Sequence, residues 1–433
     1  VQFDADVLII GCGPGGASAA IYLRMAGHSV IVLEKEKFPR FHIGESLLPY
    51  NQGLFKEMGL MPALEAARFP RKFGAQFHLM DGSRCQRFVF RNGRFTRFTE
   101  AIQVERAKFD HILMKRAQLI GADVREGWVF RKFVAAADGV EVDVLDAAGA
   151  PQKLRARYLI DASGRNNVTG NQEQLREIHE NHRKFAAFTH FSDVALDEGE
   201  KRGDTVIVRL QNRWFWMIPV GGNKTSVGLV IDRADLEREG NDPAKAFWAA
   251  INASEFVSQR LAKAKPLSEV KTLADFSYHN RKLTGPRLIR IGDAAGFMDP
   301  IFSAGVFLAM WSGKIAAQAI SKSLEDGSAA HLEKYDRRVM KAMQVYWRLV
   351  ENFYTTPFME LFMQPKPGLD IPAAVVAVLG GELEPDFKVR WRLELFYILV
   401  WLQKRWPIVP RLKIDLPRRS PAPIPASEHV FAK

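Results

Sequence analysis

The sequence predicts an α/β protein: a Rossmann-like nucleotide-binding domain interrupted by a β-rich insert and followed by a helical C-terminal region. Three observations carry this. An apolar run, a glycine turn and a second apolar run open the chain in β-α-β order. Short alternating segments fill the middle, and helical spacing dominates from about residue 331. With 433 residues, 47% of them hydrophobic and 25% charged, the chain has the composition of a folded globular protein. That excludes a disordered chain, a collagen-like repeat and a coiled coil.

Residues 5–10 (Ala-Asp-Val-Leu-Ile-Ile) read as a buried strand, residues 17–27 as a helix and 29–33 as a second buried strand. Asn92-Gly93, between phenylalanine-rich arms over 86–98, predicts a hairpin, because Asn-Gly suits the positive φ angles of a type I′ turn. Residues 105–120 read as a helix and 128–147 as strands of a meander. Further strands are expected at 185–194, 204–210, 214–220 and 226–231, then helix from 243 to about 264. A short buried strand at 288–292 precedes a long apolar helix at 304–324. The only low-complexity stretch is the proline-rich tail at 417–425.

Gly11, Gly13 and Gly16 satisfy G-x-G-x-x-G between the first strand and its helix. The first glycine permits the turn, the second admits a pyrophosphate to the backbone, and the third lets helix and strand pack closely. Phosphates then face the helix N-terminus. Glu34 ends the second strand, where a carboxylate can accept hydrogen bonds from a ribose. A glycine motif alone is weak; this one sits in the strand-turn-helix-strand-acid order its mechanism demands.

Two later segments join it. Residues 158–165 (Tyr-Leu-Ile-Asp-Ala-Ser-Gly-Arg) put Asp161 after a strand, and 290–300 (Arg-Ile-Gly-Asp-Ala-Ala-Gly-Phe-Met-Asp-Pro) put Asp293 between a strand and a glycine turn. Together the three segments resemble the signatures of the FAD-dependent monooxygenases and halogenases. By that resemblance Asp161 and Asp293 belong to the FAD site, and Asp293 contacts the ribityl or pyrophosphate region. The 303–306 turn, with Gly305, lies over the isoalloxazine. Residues 40–48, with Arg40 and Ser46, form a strap across the flavin, and Arg106 helps hold the cofactor. The implied layout is an FAD-binding core over 1–350, with cofactor segments at about 1–60, 100–165 and 285–330. The substrate insert spans about 65–100 and 180–280, and 351–433 is the C-terminal region.

Flavoproteins of this fold hydroxylate, epoxidise, reduce or halogenate, so fold does not choose the reaction. Trp214-Phe215-Trp216-Met217-Ile218-Pro219 matches the W-x-W-x-I-P pattern of flavin-dependent halogenases. Strand alternation puts Trp214, Trp216 and Ile218 on one face. The pattern alone also suits an aromatic core strand; in the family, with Pro219, it walls the flavin off from the organic substrate. Lys72, in Arg71-Lys72-Phe73-Gly74-Ala75, resembles the family's essential lysine. By itself it would read as a solvated surface charge. Burial, by lowering its pKa, would favour its work with an electrophilic halogen. Residues 299–306 (Asp-Pro-Ile-Phe-Ser-Ala-Gly-Val) resemble the loop whose amides hold chloride, which assigns Ala304 and Gly305 at the start of a helix.

The resemblance implies this reaction: reduced FAD, supplied by a separate flavin reductase, forms a C4a-hydroperoxide, chloride or bromide attacks it, and Lys72 delivers the oxidised halogen to an electron-rich ring. Tryptophan halogenases carry a glutamate in this loop where this chain has Phe302. The departure resembles the phenol and pyrrole branch, many of whose members act on substrates tethered to an acyl or peptidyl carrier protein. A polyprenyl or geranylgeranyl reductase and an aromatic hydroxylase share the fold and remain as alternatives. The apolar stretch 391–402 favours the former, and the tryptophan wall argues against the latter.

Sixty-one Lys plus Arg against 49 Asp plus Glu give +12. Such a balance raises a nucleic-acid or membrane module, yet no zinc spacing, helix-turn-helix or RNA-binding motif occurs, so no nucleic acid is expected. Seven cations lie between Arg71 and Arg97 (71, 72, 84, 87, 91, 94, 97) and nine between Lys388 and Arg419 (388, 390, 392, 404, 405, 411, 413, 418, 419). Each cluster alone suits solvated surface; together they fit a positive rim for an acidic carrier protein. Two cysteines, Cys12 and Cys85, and the lack of an apolar run of about 18–20 residues point to a cytoplasmic protein without a transmembrane segment. His42, His279 and His331 are not at metal-ligand spacing, so no metal is expected.

Overall fold

A computed structural model of the chain describes residues 2–412 apart from 180–181, 211–212, 275–276 and 365–367. The proline-rich tail and Lys413, Arg418 and Arg419 lie outside the described residues. Strand Ala5–Ile10 is the centre of the first eight-stranded sheet, with Pro151–Asp161 on one side and Val30–Glu34 on the other. Both pairings are parallel, as are those to Leu288–Arg290 and Asp123–Glu126 further out. Helices cover such a sheet, so its central strands are apolar on both faces, and Val7, Leu8 and Ile9 are wholly buried. Helix Pro14–Met25, opened by a proline in its first turn, packs against Gly305–Asp326. The expected meander is present as Val129–Ala135 and Val140–Leu145, the latter antiparallel to the first half of Pro151–Asp161.

The second sheet runs Lys265–Pro266, Lys184–Ser192, Lys224–Asp232, Arg213–Gly221, Thr205–Arg209, Gly74–Leu79, Cys85–Val89, with Lys271–Ala274 also paired to Lys184–Ser192. Its two faces belong to different cores. Trp214, Trp216, Ile218 and Ile207 face the flank shared with the nucleotide domain. Phe215, Met217, Val206 and Val208 pack beneath helix Pro243–Ala253. This is the two-residue period read from the sequence. Burying one indole of roughly 200 Å² contributes on the order of 5 kcal/mol before entropy is counted.

The Asn92-Gly93 hairpin does not form. Phe90–Asn92 is a single turn of 3₁₀ helix, and Gly93 has φ −75°, outside the left-handed region a type I′ turn requires. Cys85–Val89 pairs backwards instead, with Gly74–Leu79. The reversal is made at Asp81-Gly82, where Gly82 takes φ +71°. A second Asp/Asn-Gly pair eleven residues upstream therefore takes the turn. The helix expected to run from 243 to about 264 is broken at Ser254, whose side chain caps Glu255–Arg260.

Four helices close the described chain: Ala330–Phe353, Thr356–Phe362, Ile371–Gly380 and Phe387–Arg405. The last packs on the two before it and is tied to Ala330–Phe353 by Arg348–Glu394 at 2.5 Å, while Arg338–Glu384 at 2.7 Å ties the connection that precedes it to the same helix. Among the described residues no helix is long and apolar enough to cross a membrane.

Candidate active site

The glycine turn lies at the C-terminal edge of the central strand, between two parallel neighbours, where open α/β sheets bind nucleotides. Gly11 has φ +94°, and a Cβ on Gly16 would stand 1.9 Å from the Gly11 carbonyl oxygen, so neither position accepts a side chain. Glu34 is buried; one carboxylate oxygen accepts the Cys12 N–H and the other the Glu36 N–H, both at 2.9 Å. The Arg40 guanidinium stands over Gly13, with Nη2 3.6 Å from where a Cβ would be. A side-chain-free turn, a helix N-terminus and an overhanging cation suit an anionic diphosphate, so the residues fit the nucleotide half of FAD.

Arg106 is buried and turned to the protein. It clamps Asp110 through two bonds of 2.8 and 2.9 Å and donates to the Ile43 carbonyl at 2.7 Å. Burial pushes the Asp110 carboxyl up, but Arg106 and Arg40 together hold it below the ordinary range. Arg106 thus anchors the strap. Asp161 also faces inward: its carboxylate accepts the Ser163 N–H at 2.9 Å and the Thr169 N–H and hydroxyl at 2.9 and 2.6 Å, bracing the turn after its strand. Asp293 follows the adjoining parallel strand in a 3₁₀ turn. Burial raises its carboxyl to about 6 against the pull of Arg165 and Arg106.

The strap connects the two halves of the site. At Gly44 it lies against Arg106 and, at 3.9 Å from a notional Cβ, Val306 of the 303–306 loop. At Ser46 and Leu47 it meets Lys72. That lysine is 2% exposed, far from the solvated charge its neighbour Arg71 suggests. Its Nζ donates to Ser46 Oγ at 2.8 Å and the Leu47 carbonyl at 3.1 Å, 5.5 Å from the Phe90 ring centre. Ser46 therefore serves the lysine and Thr205, whose hydroxyl is 2.8 Å away. Desolvation lowers the Lys72 pKa to about 7, with Asp204 pulling the other way. Three residues of strap span at most about 11 Å, so the strap holds Lys72 in the neighbourhood of the loop.

Trp214, Trp216 and Ile218 form a continuous buried face, and Pro219, next along the strand, is buried as well. Trp216 lies flat over Gly228, its cross-strand partner, where a Cβ would come within 2.1 Å of the indole. Trp214 Nε1 donates to the Tyr354 hydroxyl at 2.8 Å, and that hydroxyl donates to Asp299 at 2.8 Å. The other Asp299 oxygen accepts the Ile301 N–H at 3.0 Å, capping the turn before Ser303. Burial raises the Asp299 carboxyl to about 6 despite Lys184 and the Tyr354 hydrogen bond. The wall is thus wired to the loop. Ala304 caps the helix that begins at Gly305, so first-turn amides point at that loop. Tyr354, Asp299, Gly228 and the buried Arg209 beside Tyr354 escaped sequence reading; of these only Asp299, inside the quoted loop, carried a local signal.

The FAD binding domain family matches residues 4–352. The chain is 31% identical over 395 residues to 1H-pyrrole-2-carbonyl-[peptidyl-carrier protein] chlorinase of Pseudomonas fluorescens, covering 85% of this chain and 88% of that one. It is 32% identical over 383 residues to the corresponding brominase of Pseudoalteromonas luteoviolacea, covering 87% and 91%. The chain belongs to the flavin-dependent halogenase family. Among solved structures, a flavoprotein/dehydrogenase from Cytophaga hutchinsonii superposes on this halogenase with TM-score 0.85 at 29% identity, covering 92% of this chain and 98% of that one. Flavin-dependent brominase Bmp2 does so with TM-score 0.83 at 28% identity, covering 93% and 99%. The halogenase is an oxidoreductase that uses FAD and halide, and neither the reductase nor the hydroxylase alternative is favoured.

Proposed function

We propose that this halogenase substitutes chlorine or bromine onto a pyrrole or phenol ring carried by a peptidyl or acyl carrier protein, with a separate flavin reductase supplying reduced FAD. The observation that carries the reading is the burial of Lys72 with a pKa lowered to about 7. Near neutral pH such a lysine is divided between amine and ammonium. The amine can take an electrophilic halogen on its lone pair; the ammonium can hold an oxidised halogen species by hydrogen bonding.

FAD, when bound and reduced, supplies with oxygen the two-electron oxidation of the halide. The glycine turn, Glu34 and Arg40 would hold its nucleotide half, with Asp293, Gly305 and the strap around Ser46 nearer the ring and Arg106 and Asp161 bracing the site. The amides of Ala304 and Gly305 hold the halide at the helix N-terminus. Trp214, Trp216, Ile218 and Pro219 keep the organic substrate off the flavin, which leaves a small oxidised halogen species as the messenger to Lys72. Phe302 is buried against Phe353, 5.5 Å between ring centres, so the substrate's own heteroatom must activate its ring. Two free thiols, Cys12 and Cys85, support a cytoplasmic setting.

The test supplies FAD, a flavin reductase, NADH, oxygen and bromide or chloride, with free and carrier-bound pyrrole and phenol, and reads halogen isotope patterns by mass spectrometry. Halogenated product from the wild type and none from Lys72→Ala is expected. Hydroxylated product, or equal yields from both proteins, would overturn it.

A further inference from the structure

Lys72 Nζ ends a chain of polar groups that runs from Gln103 through Thr205 and Ser46, and all four side chains are buried. Backbone contacts hold the ends of this chain together. Ser46 and Gln103 form a β-bridge, and the Gln103 N–H donates to the Pro70 carbonyl at 2.9 Å, two residues before Lys72.

The direction of the chain follows from its protons. Gln103 Nε2 lies 2.9 Å from the Gly203 carbonyl, which can only accept, so the amide nitrogen is the atom placed there. Its second hydrogen goes to Thr205 Oγ1 at 3.0 Å, and its oxygen has no partner among the described residues. The amide thus gives two hydrogens and takes none. Thr205 Oγ1, already accepting, passes its own hydrogen to Ser46 Oγ at 2.8 Å. Among the described residues the acceptor left for the Ser46 hydrogen is Lys72 Nζ, 2.8 Å away.

The two forms of the lysine answer this hydrogen differently. An amine receives it on the lone pair and donates one hydrogen to the Leu47 carbonyl at 3.1 Å. An ammonium has no lone pair; it donates to Ser46 instead and strands the Ser46 hydrogen in a buried place. The chain therefore points at the amine.

The charges nearby do not supply this bias. Asp204 acts on Lys72 in favour of the ammonium, and Arg87 Nε engages its carboxylate at 2.6 Å. The charged groups of the adjoining segments have other partners: Glu45 meets His190 at 2.7 Å, Glu100 meets Arg71, Glu105 meets Lys224 at 2.8 Å and Arg106 holds Asp110.

Resting on the role proposed above for Lys72, we infer that Gln103 and Thr205 are positioning residues, acting through Ser46 to keep Nζ an amine whose lone pair is held until an electrophilic halogen takes it. The Ser46 hydroxyl rotates, so it leaves that lone pair at the loss of one hydrogen bond.

The test follows the ammonium-to-amine transition by nitrogen NMR of protein carrying isotope-labelled lysine, with Nζ assigned by its loss in Lys72→Met. The pH profile of halogenation is recorded beside it, on free phenol or carrier-bound pyrrole, whichever the wild type halogenates. FAD binding and melting confirm that each variant folds. Gln103→Glu turns the donor into an acceptor and reverses the chain, so the transition should rise by about one pH unit, tenfold in the amine-to-ammonium ratio. Thr205→Val cuts the chain and should give a smaller rise, while Thr205→Ser, which keeps the hydroxyl, should match wild type. Gln103→Glu/Thr205→Val retains the new charge without the chain and should fall back to the Thr205→Val value. If the double variant titrates like Gln103→Glu, the effect is charge alone and the chain is refuted. A transition that Thr205→Val leaves in place refutes it too, even where Gln103→Glu does not fold. Both results leave the role of Lys72 standing. If the transitions move and the acid limb of the halogenation profile does not follow, the amine is not the reacting form, and the proposed use of the chain falls with it.

Discussion

Replacing Lys72 by methionine should make the protein more stable as well as inactive, and the gain should depend on pH. The Lys72 pKa falls from 10.5 to about 7 on folding because burial disfavours the ammonium. One unit corresponds to about 1.4 kcal/mol, so folding loses on the order of 5 kcal/mol to this one side chain. The sign follows from proton uptake: below pH 7 both states are charged and the full penalty applies. Between 7 and 10.5 the folded protein has released its proton and the unfolded chain has not, so the penalty fades as pH rises; above 10.5 it is gone. Methionine fills the same volume but leaves the Leu47 carbonyl without its donor, costing about 1–2 kcal/mol. The net expectation is a gain of roughly 3 kcal/mol at pH 6, falling to about zero near pH 9. Thermal melting of the FAD-saturated protein at several pH values reads it, with a rise on the order of 5 °C at pH 6. A variant no more stable than wild type at pH 6, or an offset constant with pH, would refute the argument.

Three further outcomes are expected. Gly16→Ala forces a methyl group to within 1.9 Å of the Gly11 oxygen, so the purified protein should lose its flavin absorbance while retaining most of its helical circular dichroism. Gly228→Ala drives a methyl group into the Trp216 indole; melting should reveal a loss of about 2–4 kcal/mol, and hydrogen peroxide release per NADH should rise as the wall shifts. Tyr354→Phe deletes the hydroxyl between Trp214 and Asp299, leaving a buried indole N–H unpaired, at about 1–3 kcal/mol; halide KM should increase more than that for the organic ring.

What the sequence made legible was local. The glycine turn, the first strands and the aromatic alternation at 214–218 each follow from neighbours within a few residues, and each forms where expected. The Asn92-Gly93 turn failed because Asp81-Gly82 offered the same local chemistry, and only pairing to Gly74–Leu79 decides between them. Lys72 is flanked by Arg71 in the string, and nothing local says that Ser46, Leu47 and Phe90, drawn from distant segments, will bury it. Tyr354 lies 140 residues from the tryptophan it bonds and so gives no periodic or motif signal. Asp161 and Arg106 show the converse: residues carried over as cofactor contacts spend their strongest hydrogen bonds on the protein, holding the parts that do the touching.

The flat lie of Trp216 over Gly228 has an evolutionary corollary. Neither residue can change alone: a side chain at 228 strikes the indole, and a small residue at 216 leaves a hole over a bare backbone. The two positions, twelve apart in the chain, should therefore be exchanged only as a pair. A descendant that has traded the tryptophan for a smaller residue should carry a side chain at 228, and its partition between flavin and substrate would have been rebuilt rather than eroded.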